Sequence, residues 1–162
     1  IRAISDPKSV YAMFRLELLG GGGLPTAEIL SIDRLPKPSE LPSFGSSTEA
    51  HRIRRLRRLS GKPAALEEIW LDGSYVETID LEAVSESLYL FYRTKLSLWI
   101  ARAEDQIGLD RVPDWAPPIF GQAPGAPITH IQRISQDQEG FRAEVSRTWL
   151  DHNVARYVSR LK

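Results

Sequence analysis

The sequence contains no cysteine, which excludes disulfide frameworks, thiolate metal sites and cysteine nucleophiles and suits a reducing cytoplasm. It has no charge of one sign to spare either. Lys plus Arg and Asp plus Glu number 21 each, so the chain as a whole has no electrostatic reason to coat nucleic acid or an anionic membrane, and any basic site has to be local. No apolar run is long enough to span a bilayer, and the opening Ile1-Arg2-Ala3-Ile4-Ser5-Asp6 is not a signal peptide. Histidine is scarce: His51, His130 and His152 share no helical or alternating ligand spacing, so neither a zinc site nor another cofactor is expected. The chain begins with Ile rather than Met, as a fragment or a processed product would.

What is present is ordinary for a globular domain: 42% hydrophobic and 26% charged residues in 162. A chain of this length buries roughly two-thirds of its unfolded surface in one core, so residues 1–162 are expected to form a single domain.

Alternation over Ser9 to Leu19 reads as a strand, ended by the glycines at 20 to 23, and Thr26 to Asp33 reads as its hairpin partner. Pro36, Pro38, Pro42, Gly45 and several serines make Leu35 to Thr48 a connector. Glu49 to Leu59 and Ala64 to Leu71 form the clearest hairpin, reversing at Ser60-Gly61-Lys62-Pro63. Leu81, Val84, Leu88 and Phe91 recur at helical spacing, giving a helix over roughly Val84 to Lys95 with Ser85-Glu86 as its cap. Leu98 to Leu109 is extended, Ile128 to Ser135 and Phe141 to Leu150 form a last hairpin, and Val154 to Leu161 adds a short strand. Hairpins dominate without strand–helix–strand alternation. The expected fold is therefore α+β, a mostly antiparallel sheet of about six strands flanked by a few helices.

Chemistry concentrates in the middle hairpin. A period of two places Ile53, Arg55, Arg57 and Leu59 on one strand face, and Ala65, Glu67, Ile69 and Leu71 on the matching face of its partner. A three-residue loop at 61 to 63 sets Arg57 opposite Glu67, Leu59 opposite Ala65 and Ile53 opposite Leu71. Guanidiniums on an otherwise apolar face need partners, because burying one unpaired costs several kcal/mol. Two readings follow: an ion pair on a partly exposed face, or an anion pocket in which two guanidinium forks about 7 Å apart converge on one group. The helix start around Ser85 and Ser87 offers free N–H groups and hydroxyls, either as an ordinary cap or as a second anion wall. The last hairpin puts Glu144, Ser146, Thr148 and Leu150 on one face; Glu144 either accepts from a ligand or pairs with Arg133 or Arg142. His130 and His51 read as structural. No nucleophile with its base is evident, and Gly20 to Gly23 lacks the Lys-Ser/Thr and helix of a phosphate loop. Asp72 with Glu77, and Glu104 with Asp105, are carboxylates without a defined partner.

A series of motifs then occurs in order: Arg-Ile-Arg-Arg-Leu-Arg-Arg-Leu-Ser-Gly-Lys-Pro-Ala-Ala-Leu-Glu-Glu at 52 to 68, Ser-Leu-Tyr at 87 to 89, Ala103 and Ile107, Ala-Pro-Gly-Ala-Pro-Ile-Thr-His-Ile-Gln-Arg at 123 to 133, and Ala-Glu-Val-Ser at 143 to 146. This series resembles the UTRA domain, the effector-binding domain of HutC-subfamily GntR-type bacterial transcription regulators, related in fold to chorismate lyase. The likeness covers roughly Ser9 to Leu161. It implies a chorismate-lyase-like antiparallel sheet with a small-molecule effector pocket, and a cytoplasmic homodimer that reads operator DNA through a winged helix-turn-helix domain lying outside this chain. Carried over by motif, the ligand-facing residues are Arg55, Arg57, Glu67, Ser87, Tyr89 and Glu144. An Arg-x-Asp-x-Tyr pattern usual after the last strand is replaced here by Asp151-His152-Asn153-Val154-Ala155, which leaves a ligand contact from that end open.

The rival expectation is an enzyme of the chorismate-lyase type, which shares an Arg-rich strand, Ser-Gly-Lys-Pro and a following glutamate. There the hairpin lies near the carboxyl end, whereas here roughly ninety residues follow Asp72, including Ser-Leu-Tyr and a second hairpin. That order favours a regulator that binds an anionic or polyhydroxylated metabolite and catalyses nothing.

Overall fold

The structure is a computed structural model and describes residues 13–84 and 87–162. Strand-forming segments assemble into a six-stranded sheet in the order β2-β3-β4-β7-β6-β5 and a separate two-stranded ribbon, β1-β8. The strands are β1 (Leu16–Leu18), β2 (Pro25–Pro36), β3 (Glu49–Leu59), β4 (Lys62–Asp72), β5 (Arg102–Arg111), β6 (Pro127–Gln136), β7 (Arg142–Leu150) and β8 (Ala155–Tyr157). Every pairing is antiparallel. One α-helix, α1 (Leu88–Leu96), and two short 3-10 turns, Leu81–Ala83 and Pro118–Phe120, complete the described residues. The α+β expectation holds, and no helix among the described residues is long and apolar enough to cross a membrane.

Two expected pairings are corrected. The first strand does not form a hairpin with the second: β1 pairs with β8, and β2 pairs with β3 over its whole length. The glycine run turns the chain through Gly21 N–H to Leu18 C=O (2.8 Å), then releases it so that Leu24 C=O accepts from Ser60 N–H (2.9 Å) at the mouth of the next hairpin. Residues 9–12 of the expected first strand lie outside the described residues.

The second correction is the β3–β4 register. Arg55, not Arg57, stands opposite Glu67; Arg57 faces Ala65, Ile53 faces Ile69 and Leu59 faces Lys62. Ser60 (φ 47°) and Gly61 (φ 81°) both adopt positive φ, the requirement of a two-residue hairpin turn whose twist suits the flanking strands. Lys62 and Pro63 thereby join β4, and a bulge between Arg57 and Arg58 absorbs the extra residue.

Both faces of the sheet are covered. On one, Ile53, Ile69 and Leu71 pack against Leu88, Phe91 and Tyr92 of α1, while at the far end Leu59, Ala65, Ile131 and Leu150 pack against Leu16 and Ala155 of the ribbon. The other face buries Leu56, Leu66 and Trp149 under Val112 and Phe120, and Ala50, Trp70 and Val145 under Phe44 of the connector. The connector is tied down by Asp72, which accepts from Lys37 Nζ (2.6 Å), Ser46 N–H and Ser47 N–H. Gly45 (φ 65°) passes so close that an added Cβ would lie 2.1 Å from Asp72 Cγ. Between these two covers, Glu68 binds Arg54 (3.0 Å), Arg147 (2.6 Å) and Trp70 Nε1 (3.0 Å).

Candidate functional site

On the first face the helix and the ribbon leave a gap, and the gap is a cavity of about 110 Å³. Its floor is the sheet. Across the strands one rung runs Arg55, Glu67, Thr148, Ile131, and the next runs Ile53, Ile69, Ser146, Arg133. Ser87, Leu88 and Tyr89 enter from the start of α1, and Met13, Phe14, Arg15, Leu16 and Tyr157 from the ribbon side. All six residues singled out from the sequence, Arg55, Arg57, Glu67, Ser87, Tyr89 and Glu144, therefore line one concavity.

The arginines are buried, each 5% exposed. Arg55 donates from Nε to Glu67 Oε1 at 2.9 Å and brings Nη2 to 2.8 Å, while Arg57 Nη2 lies 3.6 Å from the same oxygen. The face is thus ion-paired and cavity-lining at once, so the two sequence readings describe the same residues. Burial alone would raise the Glu67 carboxyl, but the two guanidiniums outweigh it and hold the group below its ordinary range. Two guanidinium forks thus meet on one carboxylate oxygen in the cavity wall. Phe14 stacks under Arg57, with Cζ 4.9 Å from the ring centroid.

Ser87 is the cap of α1: its hydroxyl accepts from Leu90 N–H at 3.2 Å. The expected helix starts near Val84, whereas α1 begins at Leu88, and the expected Ser85-Glu86 cap lies outside the described residues. Tyr89 and Tyr92, one helical turn apart, both reach Glu144. Glu144 accepts from Ser135 Oγ (2.9 Å), Tyr89 Oη (3.4 Å) and Tyr92 Oη. Neither Arg133 nor Arg142 pairs with it: Arg133 is bound to Asp105 and Arg142 to Ser43 C=O. Burial pushes the Glu144 carboxyl above its ordinary value, opposed only in part by those hydroxyls and by the positive field of Arg133 and Arg55. Burial also raises the Tyr89 phenol, which stays protonated as a donor. One end of the cavity presents guanidiniums with their shared carboxylate, and the other a cluster of hydroxyls around a carboxyl whose proton affinity burial raises.

Sequence reasoning missed Tyr92, Arg15 and Tyr157 as lining or supporting residues. Tyr92 was accessible from its i, i+3 spacing with Tyr89 on the helix. Tyr157, near the carboxyl end, donates its hydroxyl to Asp105 Oδ2 at 2.6 Å and lines the cavity. Asp105 has partners after all, Arg133 and Tyr157, which together hold its carboxyl low against the opposing effect of burial. His51 is a buried β3 residue whose Nε2 lies 2.8 Å from Val76 C=O, and His130 packs on the Trp149 ring; neither lines the cavity. Among the described residues no His, Asp or Glu group is arranged to hold a metal ion.

The sequence pattern of the UTRA domain matches residues 21–156. The chain belongs to the UTRA family. It is 67% identical over its full length to the HTH-type transcriptional regulator SmoD of Agrobacterium fabrum, covering 69% of that protein. Its fold matches the ligand-binding domain of a Bordetella bronchiseptica protein placed in the GntR family of transcriptional regulators (TM-score 0.79, 24% identity, 94% of this chain and 99% of that one). It also matches the effector domain of PhnF from Mycobacterium smegmatis (TM-score 0.67, 19% identity, 80% and 82% coverage). This UTRA domain is accordingly of the transcription-regulator kind, with the chorismate-lyase-like fold that the motif order implied. These relatives favour the regulator over the lyase.

Proposed function

We propose that this UTRA domain is the effector-binding unit of a HutC-type GntR regulator, and that the cavity between α1 and the ribbon takes an anionic, polyhydroxylated metabolite. The observation that carries this reading is the division of the cavity. At one end two buried guanidiniums stand in the wall, planar donor forks suited to a carboxylate, phosphate or similar anion. At the other, Ser135, Tyr89 and Tyr92 surround a carboxyl that burial biases towards its neutral form, a group able to donate to and accept from ligand hydroxyls. Arg55, Arg57, Glu67, Ser87, Tyr89 and Glu144 are the contact residues of this reading. The UTRA domain binds and does not turn over its ligand: occupancy shifts an equilibrium between arrangements of a cytoplasmic homodimer and so alters operator affinity through a winged helix-turn-helix domain. The open β5 edge, with Ile107 and Leu109 exposed, supports association with a second copy.

Thermal-shift and calorimetric screening of anionic and neutral metabolites tests the reading. Anionic polyols raise the melting temperature of the wild type and not of Arg57→Ala; binding that ignores the substitution, or only neutral ligands binding, overturns it. Pyruvate release from chorismate would restore the lyase alternative.

A further inference from the structure

A second cavity, of about 300 Å³, adjoins the first, and Met13, Arg15, Arg133 and Tyr157 stand in the walls of both. The partition is one guanidinium and what it holds. Arg133 donates from Nε to Asp105 Oδ1 (2.7 Å) and from Nη2 to Oδ2 (2.9 Å), and Nη2 also donates to Met13 C=O at 2.6 Å. Tyr157 fastens the same carboxylate from the ribbon side. A side chain on β6 thus closes the space by gripping the backbone of the segment that leads into β1.

The first cavity, at about 110 Å³, is smaller than the roughly 150 Å³ of an enclosed site that holds a benzene ring, so a sugar-sized anion extends past its present walls. Some wall has to give. The floor is fixed by ten cross-strand pairs between β3 and β4 and by further pairs to β7. The ribbon, by contrast, has only three register pairs, Leu16–Tyr157 to Leu18–Ala155, flanked by Val158 N–H to Arg15 C=O (2.7 Å) and Leu19 N–H to Val154 C=O (3.2 Å), and so short a pairing opens at lower cost than the sheet. The yielding wall is residues 13–18.

We propose that the effector spans both cavities, with an acceptor oxygen at its second end replacing Met13 C=O on Arg133, so that Arg133 is a further binding residue. This rests on the effector reading above and deepens it. The ligand is a polyhydroxylated anion with acceptor groups at both ends, one for the Arg55 and Arg57 side and one for Arg133. Asp105 keeps the guanidinium aimed while its remaining N–H exchanges the peptide carbonyl for the ligand. Exchange frees residues 13–18 from the sheet.

Hydrogen–deuterium exchange on this chain tests it, using gluconate and glucose 6-phosphate as the long probes and inorganic phosphate as the short one. A bound long probe slows exchange over residues 53–69 and speeds it several-fold over 13–18 and 155–158; phosphate leaves 13–18 unchanged. Without ligand, Arg133→Lys, whose single ammonium cannot serve both Asp105 and Met13, speeds exchange over 13–18, and it weakens the long probes about tenfold while sparing phosphate. Tyr157→Phe, which retains the guanidinium, also speeds 13–18 and serves if Arg133→Lys does not fold. A long probe that protects 53–69 while 13–18 slows or stays unchanged overturns the proposal and leaves the effector reading standing. Unchanged 13–18 exchange in the folded variants overturns it whatever the ligand does. If neither long probe protects 53–69, the effector reading falls and this inference with it.

Discussion

Arg55 and Glu67 are direct cross-strand partners, Nη2 to Oε1 at 2.8 Å, and Arg57 reaches the same oxygen from two residues along β3. One carboxylate oxygen is therefore shared by two buried guanidiniums. Glu67→Ala removes the carboxylate that both of them contact and is expected to destabilise the domain by about 3 kcal/mol or more, read as a fall in the urea midpoint at unchanged slope. A loss below about 1 kcal/mol would mean that water already solvates the pair.

Glu144 gives a pH signature. Its carboxyl is held above the ordinary 4.5 by burial, so the folded state favours the neutral form; that contribution is complete below 4.5 and is lost as pH rises through the raised folded value. Glu144→Gln, which mimics the neutral form, should gain in melting temperature relative to the wild type between pH 4.5 and pH 8. Calorimetric melts at the two pH values check this; a difference that shrinks with pH contradicts it.

Glu68, on the opposite face, has the reverse sign. Burial would raise it, but Arg147, Trp70 and Arg54 hold it below 4.5, so its contribution is complete above that value and disappears as pH falls through the lowered one. Glu68→Gln is expected to cost about 2 to 3 kcal/mol at pH 7, much less near pH 3, and to leave the affinity of any bound effector unchanged.

The chain's reading by sequence succeeded where periodicity and turn composition agree. Both large hairpins fall nearly where alternation places them, and the strand face of Arg55, Arg57 and Glu67 is the cavity floor. The register failed at one point because it depends on Ser60 taking positive φ, a conformation that serine seldom adopts and composition does not announce. The ribbon was hidden for a different reason: β1 and β8 are three residues each and lie some 140 positions apart, so no local pattern pairs them. Arg133 was weighed as a partner for Glu144, yet the contact with Met13 that makes it a wall of the cavity exists only in three dimensions.

Ser87 separates capping from binding. Ser87→Ala removes the acceptor for Leu90 N–H and should cost about 1 kcal/mol, whereas Ser87→Asp retains a cap and the stability with it. An aspartate there also puts a carboxylate in the cavity wall, so an anionic effector should bind Ser87→Asp at least tenfold more weakly than the wild type. Titration calorimetry on the two variants decides; equal affinity for both would remove Ser87 from the contact residues.

The central claim is that an anion sits beside Arg55 and Arg57 on the helix-covered face of the sheet. Arginine side-chain proton–nitrogen spectra, recorded while the effector found by screening is titrated in, address it most directly. The account predicts shifts of the Arg55 and Arg57 Nε–H signals with those of Arg52, Arg54 and Arg147 unmoved. Shifts confined to the latter group, on the opposite face, would contradict it.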